Sequence, residues 1–170
     1  MNYINKGKRD ILLFPKFENI DKIQKIREKY DELYNILPPH ITLVFPFINA
    51  ITNNELEEQL KILLKDINAF NIKCSGISLK KDNRINKYYI FLNINEGKEI
   101  INNIHNKIYK SLLIEETVID YEPHITLGTI DNDDIEIDLK EIFESTIESI
   151  YVESIGENEE SIIEFEISLK

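Results

Sequence analysis

Two pentapeptides carry the residues best suited to chemistry. Pro39-His40-Ile41-Thr42-Leu43 returns 84 residues later as Pro123-His124-Ile125-Thr126-Leu127. The chain has three histidines, and two of them hold the same place in this repeated unit. Each pentapeptide reads as the start of a strand, because proline favours extended geometry before it and often opens an element. Alternate side chains of a strand share a face. His40 and Thr42 therefore lie together, opposite Ile41 and Leu43, and His124 and Thr126 lie opposite Ile125 and Leu127. The apolar faces can enter a core. The other faces offer an imidazole, which exchanges protons near neutral pH, and a hydroxyl, which can donate to an anionic oxygen. Two such pairs facing each other make an acid, a base and two oxygen-binding groups, a set suited to in-line displacement at phosphorus. One His-x-Thr triplet arises easily by chance. Packing alone, however, does not call for histidine and threonine at both polar positions of both copies.

Helices and further strands must position these units. Arg9 to Phe14 reads as a first strand. Ile20, Ile23, Ile26, Tyr30, Leu33, Tyr34 and Leu37 then form one helical stripe, with Asn19 as N-cap and Pro38-Pro39 as the stop. The first histidine strand runs from His40 to Phe47. Thr52-Asn53-Asn54-Glu55 is a capping box opening a second helix, with Leu56, Leu60, Leu63, Leu64 and Ile67 on its buried face. Phe70 to Leu79 is a strand, Lys80 to Asn86 a polar loop, and Lys87 to Ile94 its hairpin partner. Ile100, Ile101, Ile104, Ile108 and Leu112 mark a third helix, with His105 at the border of the stripe, partly packed and partly wet. After Thr117 to Tyr121 comes the second histidine strand, His124 to Ile130. A short fourth helix is expected through Ile135, Leu139, Ile142 and Phe143, capped by the acids Asp131 to Asp134. Strands follow at Thr146 to Ser154 and Ser161 to Leu169, with a turn at Gly156 to Glu159.

The pattern predicts a single α+β domain with two pseudo-symmetric halves, about residues 1–80 and 86–170. Two mainly antiparallel sheets would flank a central cleft, with helices on the outer faces. At 170 residues the chain can bury a substantial core. Its N-terminus is polar and basic, no apolar run approaches a membrane span, and the expected compartment is the cytoplasm. Cys74 is the only cysteine, which excludes an intramolecular disulfide and a thiolate cluster and suits buried packing. The net charge of −11 disfavours duplex nucleic acid, which basic surfaces hold by displacing counterions. A basic patch at Lys80, Lys81, Arg84 and Lys87 suits a small nucleotide or a single-stranded RNA end. Phe14, Phe45, Phe47, Tyr88 and Tyr89 are candidates to stack on a base, though each also reads as an ordinary core aromatic.

The tandem Pro-His-Ile-Thr-Leu, its spacing and the ending Ile150-Tyr151-Val152-Glu153-Ser154-Ile155 resemble the two-histidine (2H) phosphoesterase superfamily, in its 2′-5′ RNA ligase and cyclic phosphodiesterase branch. The resemblance covers nearly the whole chain. It implies a duplicated bilobal fold whose His-x-Thr motifs line a central cleft, with His40, Thr42, His124 and Thr126 as the catalytic set. It also implies metal-independent chemistry without a cofactor and hydrolysis of a nucleoside 2′,3′-cyclic phosphate or a 2′-5′ linkage; a monomer is expected. Phe14, Phe45, Tyr88, Lys80 and Arg84 are the candidate substrate contacts. His124 is favoured as base and His40 as acid. Ligation through 2′-5′ bonds by the same residues, and a nucleotide-binding module without turnover, remain alternatives. A metal held by His40 and His124 ranks below them, because no carboxylate lies at regular ligand spacing from either. One departure from the family pattern is plain: many relatives carry an arginine two residues beyond the second leucine, where this chain has Gly128 and Thr129.

Overall fold

The computed structural model describes residues 7–112, 114–115 and 120–170. The polar start of the chain up to residue 6, and residues 116–119 within the Thr117–Tyr121 stretch, lie outside the described residues. In chain order the elements are β1 (Lys8–Leu13), α1 (Ile20–Tyr30), β2 (Ile41–Phe47), α2 (Asn53–Leu64), β3 (Phe70–Asp82), β4 (Lys87–Glu96), α3 (Lys98–Leu112), β5 (His124–Ile130), β6 (Phe143–Ile147), β7 (Ser149–Ile155) and β8 (Ser161–Ser168).

The strands form one antiparallel sheet and not two, in the order β6-β3-β4-β5-β2-β1-β7-β8. Its two four-stranded parts meet at a narrow seam. The ladder between β2 and β5 is a single pair, Ile41 opposite Ile125. Past that pair the two histidine strands part company, and each leaves an unpaired edge that must be satisfied some other way. Side chains do this for β2. The Tyr121 hydroxyl donates to the Thr42 carbonyl at 2.7 Å, His105 Nδ1 donates to the Leu43 carbonyl at 2.7 Å, and the Phe45 amide donates to the Tyr109 hydroxyl at 3.2 Å. His105 is therefore a buried strut, 1 % exposed and stacked on Tyr121 at 3.7 Å, and not the half-wet boundary residue its helical position suggests.

The core lies on the face away from the histidines. Ile41, Leu43, Ile125 and Leu127 are fully buried there with Ile23 of α1, Leu56 and Leu60 of α2, and Ile101 and Ile104 of α3. Burying each such side chain contributes about 1.5–3 kcal/mol. The packing is crossed: α1, which precedes β2, packs on β5, and α3, which precedes β5, packs on β2. The capping box of α2 forms as its sequence indicates, with Thr52 Oγ1 accepting the Glu55 amide and Glu55 accepting the Thr52 amide.

Four local expectations are corrected. First, α1 stops at Tyr30, although its apolar spacing runs on to Leu37. Arg27, fully buried, explains the early end. Its guanidinium donates to Asp31 Oδ2 and to the Leu37 carbonyl, each at 2.7 Å, while Asp31 Oδ1 accepts the Leu33 amide. These bonds wind residues 31–37 into a turn that delivers Pro38, Pro39 and His40 to the sheet. Second, no helix forms over Ile135–Phe143. The Asp134 amide is taken by the Asn132 side chain, and Phe143 enters β6, where Phe143, Ser145 and Ile147 are buried in alternation against β3. Third, the Thr146–Ser154 run is divided at Glu148, whose carbonyl accepts the Leu169 amide at 2.8 Å. β6 lies on one sheet edge, while β7 sits between β1 and β8. Fourth, Lys80 and Lys81 belong to β3, and the loop is only the tip 83–86, with Asn86 at φ 53°.

Candidate active site

His40 and His124 each precede one member of the Ile41–Ile125 pair. Strand alternation sets His40 and Thr42, and His124 and Thr126, on the face away from the core on either side of that pair. The two imidazoles are close enough that charge on His40 lowers the pKa of His124.

Both rings are held in the same way. His40 Nδ1 donates to the Pro38 carbonyl at 3.0 Å, and His124 Nδ1 donates to the Glu122 carbonyl at 2.7 Å. A carbonyl can only accept, so the proton of each neutral imidazole sits on Nδ1 and leaves Nε2 for chemistry. Aromatic neighbours fix the ring planes. Phe14 meets His40 edge to face with centroids 6.3 Å apart and is itself backed by Tyr151 at 5.0 Å, while Phe91 stacks on His124 at 3.6 Å.

Both imidazoles titrate below their ordinary value of 6.5, chiefly because burial penalises the cation. Their surroundings differ. Arg27 also lowers His40, whereas the bond to Pro38 and the carboxylates of Glu153 and Asp31 raise it. Lys80 and His40 lower His124, opposed by the bond to Glu122 and by that residue's carboxylate.

The sequence candidates divide. Phe14 and Lys80 stand by the histidines. Phe45 lies beside Tyr121, on the strand of His40. Tyr88 pairs in register with Lys81 and packs against the core, with the Lys81 ammonium 5.8 Å from its ring, on the face opposite Lys80 and Tyr89. Arg84 is at the exposed hairpin tip, tied to Asp82 at 2.7 Å. Phe91 was not among the candidates, although its place two residues after Tyr89 on an alternating strand was a usable signal. A concavity of about 880 Å³ between Lys16, Asn19, Lys73 and Glu144 touches neither histidine. A smaller one of about 340 Å³ reaches Thr126. Among the described residues, no group of three or more His, Cys, Asp or Glu is arranged to hold a metal.

Sequence reading also missed a buried carboxyl pair on β1 and β7. Asp10 and Glu153 are register partners, 7 % and 2 % exposed. Asp10 is pushed up to about 9 by burial first and by the charge and hydrogen bond of Glu153 next, so it keeps its proton at neutral pH. Its Oδ1 has no hydrogen-bond partner, while Ser161 Oγ donates to Glu153. A pKa raised on folding means that the unfolded chain releases a proton the folded chain retains, so stability falls as pH rises from about 4 towards 9. Asp10→Asn removes that cost while keeping a donor for Glu153. It is expected to raise the melting temperature by about 2–8 °C at pH 8 and hardly at all at pH 4. Thermal unfolding of both proteins across that range checks this, and an equal gain at both pH values would contradict it.

The chain belongs to the 2′-5′ RNA ligase superfamily, whose model matches residues 15–156. Among its relatives is a Geobacillus kaustophilus protein named "Putative phosphoesterase GK0864", 28 % identical over 126 residues, or 71 % of this chain and 68 % of the relative. A Geobacillus thermodenitrificans protein named "Putative phosphoesterase" is 29 % identical over 126 residues, with the same two shares. Among solved structures, E. coli LigT complexed with NADP+ superposes with a TM-score of 0.67 at 13 % identity, covering 96 % of this chain and 98 % of LigT. The Thermus thermophilus protein TT0787 gives 0.66 at 13 %, covering 95 % and 97 %. At these identities the structural likeness speaks for the fold alone.

Proposed function

We propose that this protein is a metal-independent phosphodiesterase that opens a nucleoside 2′,3′-cyclic phosphate or cleaves a 2′-5′ linked RNA phosphodiester. The observation that carries this reading is the seating of both His-x-Thr units on one face, astride the Ile41–Ile125 pair. His124 Nε2, with Lys80 favouring its neutral form, takes a proton from water as the water attacks phosphorus. His40 Nε2, with Glu153 and Asp31 favouring its cation, gives a proton to the departing oxygen. The Thr42 and Thr126 hydroxyls donate to the non-bridging oxygens as charge builds there. Small nucleotides and single-strand ends suit a chain of net charge −11 better than a duplex does. The nucleotide complexes of E. coli LigT, with NADP+, ATP and 3′-AMP, are in keeping with that size of ligand.

The test is turnover of the four 2′,3′-cyclic nucleotides and of short 2′-5′ linked oligonucleotides by purified protein in the presence of chelator. Product analysis separates hydrolysis from 2′-5′ joining, which would use the same four side chains in reverse. Nucleotide binding without any turnover would overturn the proposal in favour of a binding module, and loss with chelator restored by zinc would favour a metal held by the histidines.

The depressed imidazoles carry a pH signature. The base must be neutral and the acid cationic together, which gives a bell. Because both groups titrate below 6.5 in the free protein, the kcat/KM bell should centre below that pH. A bound phosphate anion favours both cations, so the kcat bell should lie at higher pH than the kcat/KM bell. Coincident profiles centred above pH 7 would count against the assignment.

A further inference from the structure

On the β5 side of the seam the end of α1 crosses the strand at Gly128. Beside it lies the pocket of about 340 Å³, bounded by Thr126, Gly128 and Thr129 of β5, Lys87 and Tyr89 of β4, and the end of α1 with its turn from Tyr30 to Leu33. Its size is at the small end of the range for small-molecule sites. Three features describe what would fit. It opens on Thr126, a hydroxyl assigned above to the phosphate. One wall is aromatic: Tyr89 stacks on Phe91 with planes 15° apart, and Phe91 stacks on His124, so a file of ring faces leads from the imidazole into the pocket. The rim is acidic. Asp31 and Glu32 line it, and the one cation among its lining residues, Lys87, has the Asp131 carboxylate 4.0 Å away. A second phosphate would be repelled there, whereas a flat uncharged ring with N–H donors would be welcome.

Resting on the phosphoesterase reading, we infer that this pocket receives the nucleobase of the substrate and selects for guanine, with uracil bound least well. Asp31 is engaged with Arg27 and the Leu33 amide. Glu32 is exposed on the rim and makes no hydrogen bond or ion pair with the other described residues. A carboxylate accepts two parallel hydrogen bonds, and guanine alone among the four bases offers two adjacent donors, N1–H and the 2-amino group. Uracil offers one N–H between two carbonyl oxygens that a carboxylate repels. Tyr89 supplies the stacking face that all bases share.

Calorimetric titration of the wild-type protein with 2′-GMP, 2′-UMP and inorganic phosphate tests this without relying on turnover. 2′-GMP should bind about 10-fold more tightly than 2′-UMP, and inorganic phosphate more weakly than either. Glu32→Gln should bring 2′-GMP and 2′-UMP to within about twofold of each other. Tyr89→Leu should pull both nucleotides about 10-fold or more towards the affinity of phosphate alone. Equal affinities for both nucleotides and phosphate, or a preference for 2′-GMP that survives Glu32→Gln, would overturn the inference. The two readings fail separately. Equal KM values for all four cyclic nucleotides would sink the guanine pocket and leave the phosphodiesterase standing, while base-ranked binding with no turnover would do the reverse.

Discussion

Alanine at His40, or at His124, is expected to lower kcat/KM for a cyclic phosphodiester by about 10²–10⁴-fold, the range for one positioned proton-transfer group. The double replacement should cost little more than the worse single one if, as proposed, base and acid act on the same transition state, so that losing either stops the concerted step. Strictly additive losses would mean that the imidazoles work apart. The stability of the variants should change little, since both rings stand on the polar side of the sheet, outside the core cluster. Chemical rescue by imidazole would further separate lost chemistry from lost structure. Thr42→Val and Thr126→Val should each reduce kcat more than they raise KM, as expected of donors whose bonds strengthen while charge builds on oxygen.

Gly128→Ala is expected to be among the most destabilising single-methyl changes in the chain. Gly128 has φ +135°, a region side chains avoid, and an added Cβ would lie 2.3 Å from the Tyr30 carbonyl carbon and oxygen. These are backbone atoms and cannot swing aside. Either α1 retreats from β5 or the strand distorts, a loss of about 3 kcal/mol or more and a fall in melting temperature of about 6–12 °C. Activity should suffer in the molecules that remain folded, because the end of α1 carries the Arg27-bound turn that presents His40. Denaturant titration and kcat/KM on the same preparation check both parts. A variant with wild-type stability would mean that the close approach of Gly128 to Tyr30 has been misjudged. Gly128 is thus the place where a helix end crosses the strand.

What could be read in advance follows from how local its cause is. The His-x-Thr units and the capping box at Thr52 depend on neighbours within a few residues, and both could be seen in the letters. The early end of α1 depends on Arg27 being buried against carbonyls up to ten residues away. No periodicity reveals this, and Leu33 and Leu37 keep a helical spacing that the chain does not use. The region around Ile135 has apolar residues at both periods, and pairing of β6 with β3 settles what local preference leaves open. The single sheet could not be read either, because one bridge decides whether two four-stranded layers count as joined. Asp10 escaped notice for a related reason: an acid inside an apolar strand reads as solvent-facing until its partner, 143 positions away, is known to be another buried acid.

The lone Ile41–Ile125 bridge has a mechanical consequence. Each histidine is the residue next to it, so any rotation of one half against the other about this pivot would move the imidazoles least. With about 3.3 Å per residue along a strand, a 10° rotation about the pivot moves an atom one residue away by about 0.6 Å, but one five residues away by about 3 Å. The outer reaches of β3 and β4 are long levers on this fulcrum, and the imidazoles sit on its shortest arms. Rotation at such a joint would change the spacing of the outer strands while the distance between the two imidazoles scarcely changes.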